Sequence, residues 1–141
     1  MELSEDIEQV KSLLLSNLRN NLVVKKGSDL KVIKKKGITP VLDLCLSKAN
    51  YQGAVCADRI VGKAAALLYV YLGVHFVYGH VLSREAQKYF ERYHILYEYE
   101  FLVDMIVNKT NDDFDPLDKA VADLDEIETA PQEIQKVLKT L

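Results

Sequence analysis

The stretch GAVCADRIVGKAAALLYVYL, residues 53–72, constrains the fold more than any other part of the chain. From residue 64 to residue 72 it is apolar without a break. Ala64, Leu68, Tyr71 and Leu72 would line one side of a helix, and Leu67 and Val70 the other. A helix that is apolar all round has to be buried. Gly73 follows as a well-placed C-cap glycine. The start of the stretch has another character. Asp58 reads as an N-cap or first-turn residue of this central helix, the sign that end prefers. Arg59 and Lys63 carry the opposite sign and would share a helix face at i, i+4. Gly62 between them costs a helix about 1 kcal/mol relative to Ala. Two cations and a glycine at the start of a buried helix mark a candidate site.

The chain has 141 residues, which suits one domain with a real core. Hydrophobic residues make up 49% and charged residues 28%, the balance of a soluble globular protein. A net charge of −3 argues against general nucleic-acid binding. The basic cluster Lys31, Lys34, Lys35 and Lys36 is local and reads as a solvated turn, and an acidic segment covers residues 112–128. Two cysteines, Cys45 and Cys56, are too few for a disulfide framework, so both are expected reduced and the protein cytoplasmic. The acidic, amphipathic start of the chain is no secretory signal. The longest apolar run is about half of the ~20 residues that span a membrane, so no membrane association is expected.

Along the chain, Ser4 starts a first helix with Ile7, Val10, Leu13, Leu14 and Leu18 at helical spacing. Residues 22–25 and 30–34 read as the strands of a β-hairpin about a Gly27 turn. Gly37 and Pro40 break it, and residues 41–49 form a short helix. After the central helix, residues 74–78 read as a buried parallel strand. Ser83 caps a helix carrying Ala86, Tyr89 and Phe90. Residues 95–99 read as another strand, 101–107 as a helical turn and 108–115 as a polar loop. Pro116 and Pro131 each start a further helix. Strands alternating with helices predict an α/β fold with a partly parallel sheet of about four strands and extra N- and C-terminal helices. Residues 1–125 form the domain, and residues 126–141 a helical tail.

The block Gly53-Ala54-Val55-Cys56-Ala57-Asp58-Arg59-Ile60-Val61-Gly62-Lys63-Ala64-Ala65-Ala66 resembles domain-of-unknown-function family 1893, an uncharacterised bacterial family. So does its frame: Gly37-Ile38-Thr39-Pro40-Val41, Gly73-Val74-His75-Phe76-Val77-Tyr78, Asn108-Lys109-Thr110 and Asp115-Pro116-Leu117-Asp118. The resemblance covers residues 20–121. It implies a three-layer α/β/α sandwich of the cytidine-deaminase-like kind and no established activity. Where relatives in that family often carry Cys-Pro-x-Glu, this chain has Asp115-Pro116-Leu117-Asp118, a carboxylate in place of the thiol.

Zinc deaminases place a His or Cys ligand beside a catalytic Glu at one helix start and a Pro-Cys-x-x-Cys at the next. Cys56-Ala57-Asp58 echoes the first half. The second half is absent: Gly79-His80-Val81-Leu82-Ser83 offers His80 and no cysteine pair. A catalytic zinc takes three protein ligands, and Cys56 with His80 make two. No metal site and no cofactor are expected. Gly62-Lys63 lacks the other residues of a phosphate-binding loop, so nucleotide hydrolysis is not expected.

What remains is charge at the start of the central helix. Either a carboxylate such as Asp58 offsets the two cations, or a bound anion does. The expected ligand is small and anionic or nucleotide-like. Asp58 and Lys63 are the candidate catalytic pair, as acid/base and electrostatic stabiliser. Gly62, Arg59, Asn108 and Lys109 are the candidate binding residues. The competing reading is a non-catalytic regulatory or interaction subunit. It would act through Tyr89, Tyr93, Tyr97 and Tyr99 and the C-terminal helix, with room for a homo-oligomer.

Overall fold

The computed structural model describes residues 2–107 and 115–141. They form a mixed α/β fold with six helices and one five-stranded sheet. In chain order the elements are α1 (Glu2–Ser16), β1 (Leu22–Lys26), β2 (Asp29–Ile33), α2 (Thr39–Leu46), β3 (Val55–Val61), α3 (Lys63–Leu72), β4 (Phe76–Ser83), α4 (Arg84–Arg92), β5 (Leu96–Val103), α5 (Pro116–Ala120) and α6 (Ala130–Leu138). The sheet order is β2-β1-β3-β4-β5. The hairpin β1–β2 and the pair β1–β3 are antiparallel, whereas β3, β4 and β5 run parallel. None of the described helices is long and apolar enough to cross a membrane.

Two apolar clusters sit on opposite faces of the sheet. On one face Val10 and Leu14 of α1 pack on Val23, Val55, Ala57, Phe76 and Tyr78. On the other, α3 lies among residues of α2, α4 and α6, over Cys56, Val77 and Leu82. Leu67 and Leu68 are both 0% exposed, as the apolar run requires. Gly73 adopts φ +70 and closes α3, with its N–H donated to the carbonyls of Tyr69 and Val70. A left-handed residue is easy for glycine and strained for any other at this cap.

The stretch 53–72 is not one helix. Its first half is β3, the central strand, and α3 begins only at Lys63. Strand β3 lies between β1 and β4 with both faces covered, so it shows no apolar–polar alternation. Its Ala57 and Arg59 suit a helix locally, and pairing with two neighbours overrides that preference. This is the fifth strand that the sequence pattern conceals. The segment 101–107, predicted as a helical turn, also belongs to a strand as far as Val103, because β5 pairs with β4 up to Ser83↔Val103. Helix α6 packs Ala130 and Ile134 into the same core as α3.

Candidate functional site

The parallel strands β3, β4 and β5 end near the starts of α3 and α4, and that end of an α/β sheet is where ligands usually bind. Two clefts open there. One of about 430 Å³ is bounded by Asp58, Ile60, Gly62, Ile106 and Asp118, and one of about 410 Å³ by Lys63, Ser83, Ile106, Asp118 and Ala122. Asp118 and Ile106 wall both.

Asp58 is not a helix cap. It sits in β3 opposite Leu22 and Gly79, 5% exposed, on the wall of the first cleft. Tyr69 of α3 donates its hydroxyl to Asp58 Oδ2 at 2.6 Å. Burial pushes the Asp58 carboxyl up from 3.8 to about 7, and hydrogen bonding, first of all from Tyr69, only partly offsets it. A carboxyl that exchanges its proton near neutrality at the wall of a cleft is a functional-site candidate on physical grounds. Tyr69 is raised well above its ordinary value, first by its own burial and then by Asp58. Tyr69 therefore acts as a hydrogen-bond donor to Asp58.

The two cations go separate ways. The Arg59 guanidinium donates to the carbonyls of Asn20 and Asn17, both at 2.9 Å, and of Leu14. It thus closes the C-terminal end of α1, the helix end that favours positive charge. Arg59 and Lys63 share no helix face, because one residue is in the strand and the other opens the helix. Arg59→Met is expected to lower the unfolding free energy by about 2 kcal/mol, since the carbonyls of Leu14, Asn17 and Asn20 lose a charge-assisted partner. A urea midpoint unchanged by that substitution would contradict this role.

Lys63 is the first residue of α3 and only 6% exposed. Its amine donates to the Ala122 carbonyl at 2.7 Å and lies 5.7 Å from the centre of the Tyr89 ring. The carboxylate expected at this helix start is present, and it is Asp118 rather than Asp58. Asp118 accepts from the backbone N–H of Lys63 at 3.1 Å and of Ala64 at 2.9 Å. It fits only because residue 62 has no side chain. A Cβ there would overlap Asp118 Oδ2 and come within 2.9 Å of Ile106 Cγ1. Gly62 is therefore the position that lets Asp118 reach the helix, not an interior helix residue. Asp118 is itself carried by α5, whose first turn is capped by Asp115 with Pro116 at its start. Burial raises Asp118, opposed by the two α3 amides.

Cys56 is the second residue of β3, fully buried, and burial raises its thiol far above the ordinary range. His80 Nδ1 is 2.8 Å from the Tyr78 hydroxyl, and its ring packs edge-on against Phe101. Among the described residues no three His, Cys, Asp or Glu side chains are arranged to hold a metal. Asn108 and Lys109 lie outside the described residues. Ser83 caps α4 as expected, accepting from the Ala86 N–H at 3.1 Å. The tyrosines do not form one surface: Tyr89 is buried and donates to Asp125, whereas Tyr99 is exposed and stacks on Tyr97. Tyr69 and Asp118 are the site residues that sequence reasoning missed. The Asp-Pro-x-Asp segment signals a capped helix start but not the distant helix that Asp118 caps.

A sequence profile described as "Domain of unknown function (DUF1893)" matches residues 10–138. A solved structure described as a DUF1893 family protein from Thermotoga maritima superposes with a TM-score of 0.79. It is 23% identical, and the match covers 96% of this chain and 90% of that one. No curated protein matches. At that identity the structural likeness speaks for the fold, and the profile for the family. With nearly the whole length matched, the chain belongs to the DUF1893 family.

Proposed function

We propose that this protein is a small-molecule-binding domain whose ligand enters the cleft at the C-terminal end of β3 and bonds to the Asp58 carboxyl. The single observation that carries this is Asp58 itself. It is a buried carboxyl on the wall of a cleft of about 430 Å³, with no cation beside it among the described residues. An unpaired buried carboxyl is costly to keep and is characteristic of sites that bind or move protons. The expectation of an anionic ligand at the helix start changes sign in this cleft. Asp118 already occupies the first amides of α3, and the charged side chains among the described lining are carboxylates: Asp58, Asp115 and Asp118. A ligand presenting N–H donors, such as an amine, an amidine or an aminated heterocycle, suits that lining.

The fold reading that accompanies it is a three-layer α/β/α sandwich of cytidine-deaminase-like kind without the zinc site. Support for the layering comes from α1 on one face and α2, α3, α4 and α6 on the other. Against zinc stand Cys56, sealed inside β3, and His80, engaged by Tyr78. A catalytic version of the same site is favoured by the proton affinity of Asp58, which suits an acid/base working near neutrality. Lys63 would not join it directly, because its side chain lines the other cleft.

The test is a thermal-shift screen of small amines, amidines, aminated heterocycles and carboxylic acids at pH 8, on wild type and Asp58→Asn. Compounds with N–H donors should stabilise the wild type and not the variant, as a ligand bound only to the native state does. A set dominated by carboxylic acids, equal shifts in both proteins, or no shift in either would overturn the reading.

A further inference from the structure

The second cleft contains an ammonium whose bonding is incomplete. Lys63 has three N–H donors, and the described protein groups supply one acceptor, the Ala122 carbonyl at 2.7 Å. The Tyr89 ring face, 5.7 Å away, steadies the charge without accepting a conventional hydrogen bond. Among the described residues Lys63 is in no ion pair, although it is only 6% exposed. Two carboxylates feel its charge, and both are engaged elsewhere. Asp118 is held on the α3 amides, and Asp125 by Tyr89 and Arg92. Buried charges are normally paired, and among the described residues the space left for groups that would complete this ammonium is the cleft it lines.

A second donor converges on the same space. Ser83 is 1% exposed and lines the same cleft. Its oxygen accepts from the Ala86 N–H, which leaves its own O–H to donate. The acids at the rim are paired: Glu85 lies 3.6 Å from Lys88, and Asp104 lies 2.8 Å from Arg84. The buried Lys63 and the buried Ser83 thus line one cleft of about 410 Å³ at the C-terminal end of β4.

We propose that this cleft is an oxyanion-binding site in which the Lys63 ammonium and the Ser83 hydroxyl receive the carboxylate or phosphate group of a small ligand. The anion supplies both the countercharge and the acceptors that Lys63 lacks, the combination that makes charge-assisted bonds strong. The proposal does not rest on the Asp58 reading, since different side chains in a different cleft do the binding.

The test uses the full chain at pH 7 and constant ionic strength, with sodium phosphate or sodium acetate replacing sodium chloride at about 10 mM. At least one of the two anions should raise the wild-type melting temperature by about 2 °C or more. The shift should persist in Asp58→Asn, shrink in Ser83→Ala and vanish in Lys63→Met. Because Lys63→Met could perturb the start of α3, a second readout uses wild type alone. With lysine labelled at Cε, the Lys63 resonance should move saturably as the same anion is added. No stabilisation of wild type by either anion, an equal shift in Lys63→Met, or an unmoved Lys63 resonance would overturn the proposal.

Discussion

Gly62→Ala is expected to lower the unfolding free energy by about 1–3 kcal/mol, although Ala is the better helix former and residue 62 has an ordinary extended backbone. The added Cβ would stand where the Asp118 carboxylate now lies. Either Asp118 leaves, and the amides of Lys63 and Ala64 lose their cap, or α3 and α5 move apart and core contacts loosen. The first outcome costs about 1 kcal/mol, and the second, by overpacking, about 1–3 kcal/mol. A double-mutant cycle separates the causes. In an Asp118→Ala background the same Gly62→Ala change should cost under about 1 kcal/mol, because the obstructing carboxylate is gone. An undiminished cost in that background would show that the clash lies elsewhere, with Ile106 the next candidate.

Asp58→Asn is expected to make the protein more stable at alkaline pH and to change little in acid. In the folded chain the carboxyl is raised from 3.8 to about 7, so over that interval the folded state holds a proton that the unfolded state has lost. Its contribution to stability is therefore fully present below pH 4 and lost as pH rises through about 7. At 1.36 kcal/mol per pH unit the loss amounts to about 4 kcal/mol by pH 8.5. Asn has the shape of the protonated acid. Its Nδ2 can donate to the Tyr69 hydroxyl, and it never ionises. Urea unfolding of both proteins from pH 4 to pH 8.5 should give a difference near zero at the acid end. The gap should grow in favour of Asn between about pH 4 and pH 7 and level off above that. A difference that stayed flat with pH would contradict the burial argument.

The parts of the fold that were legible in the sequence are those in which local pattern and tertiary environment agree. The apolar run ending at Gly73 is a buried helix, the Gly27 turn joins a hairpin, and Ser83 caps α4. Strand β3 was not legible because burial on both faces removes alternation, and Ala57, Asp58 and Arg59 carry no strand preference of their own. The site suffered most from that error. Displacing Asp58 from strand to helix gave it the wrong neighbours and put Arg59 beside Lys63. The cap on α3 comes from Asp118, more than fifty residues along the chain, and no spacing rule links the two. What composition did show is that a charge at the start of the central helix needed an answer. The structure supplies part of it within the chain and leaves the Lys63 amine facing a cleft.

The most direct measurement is the titration of Asp58 itself, followed by NMR at its carboxyl carbon and assigned by Asp58→Asn. The account predicts a midpoint near 7, moved down when a ligand bearing N–H donors binds, because such a ligand favours the carboxylate. A midpoint in the ordinary range near 4 would mean that water or a cation reaches the group. The cleft would then have no special carboxyl, and the proposed binding function would lose its basis.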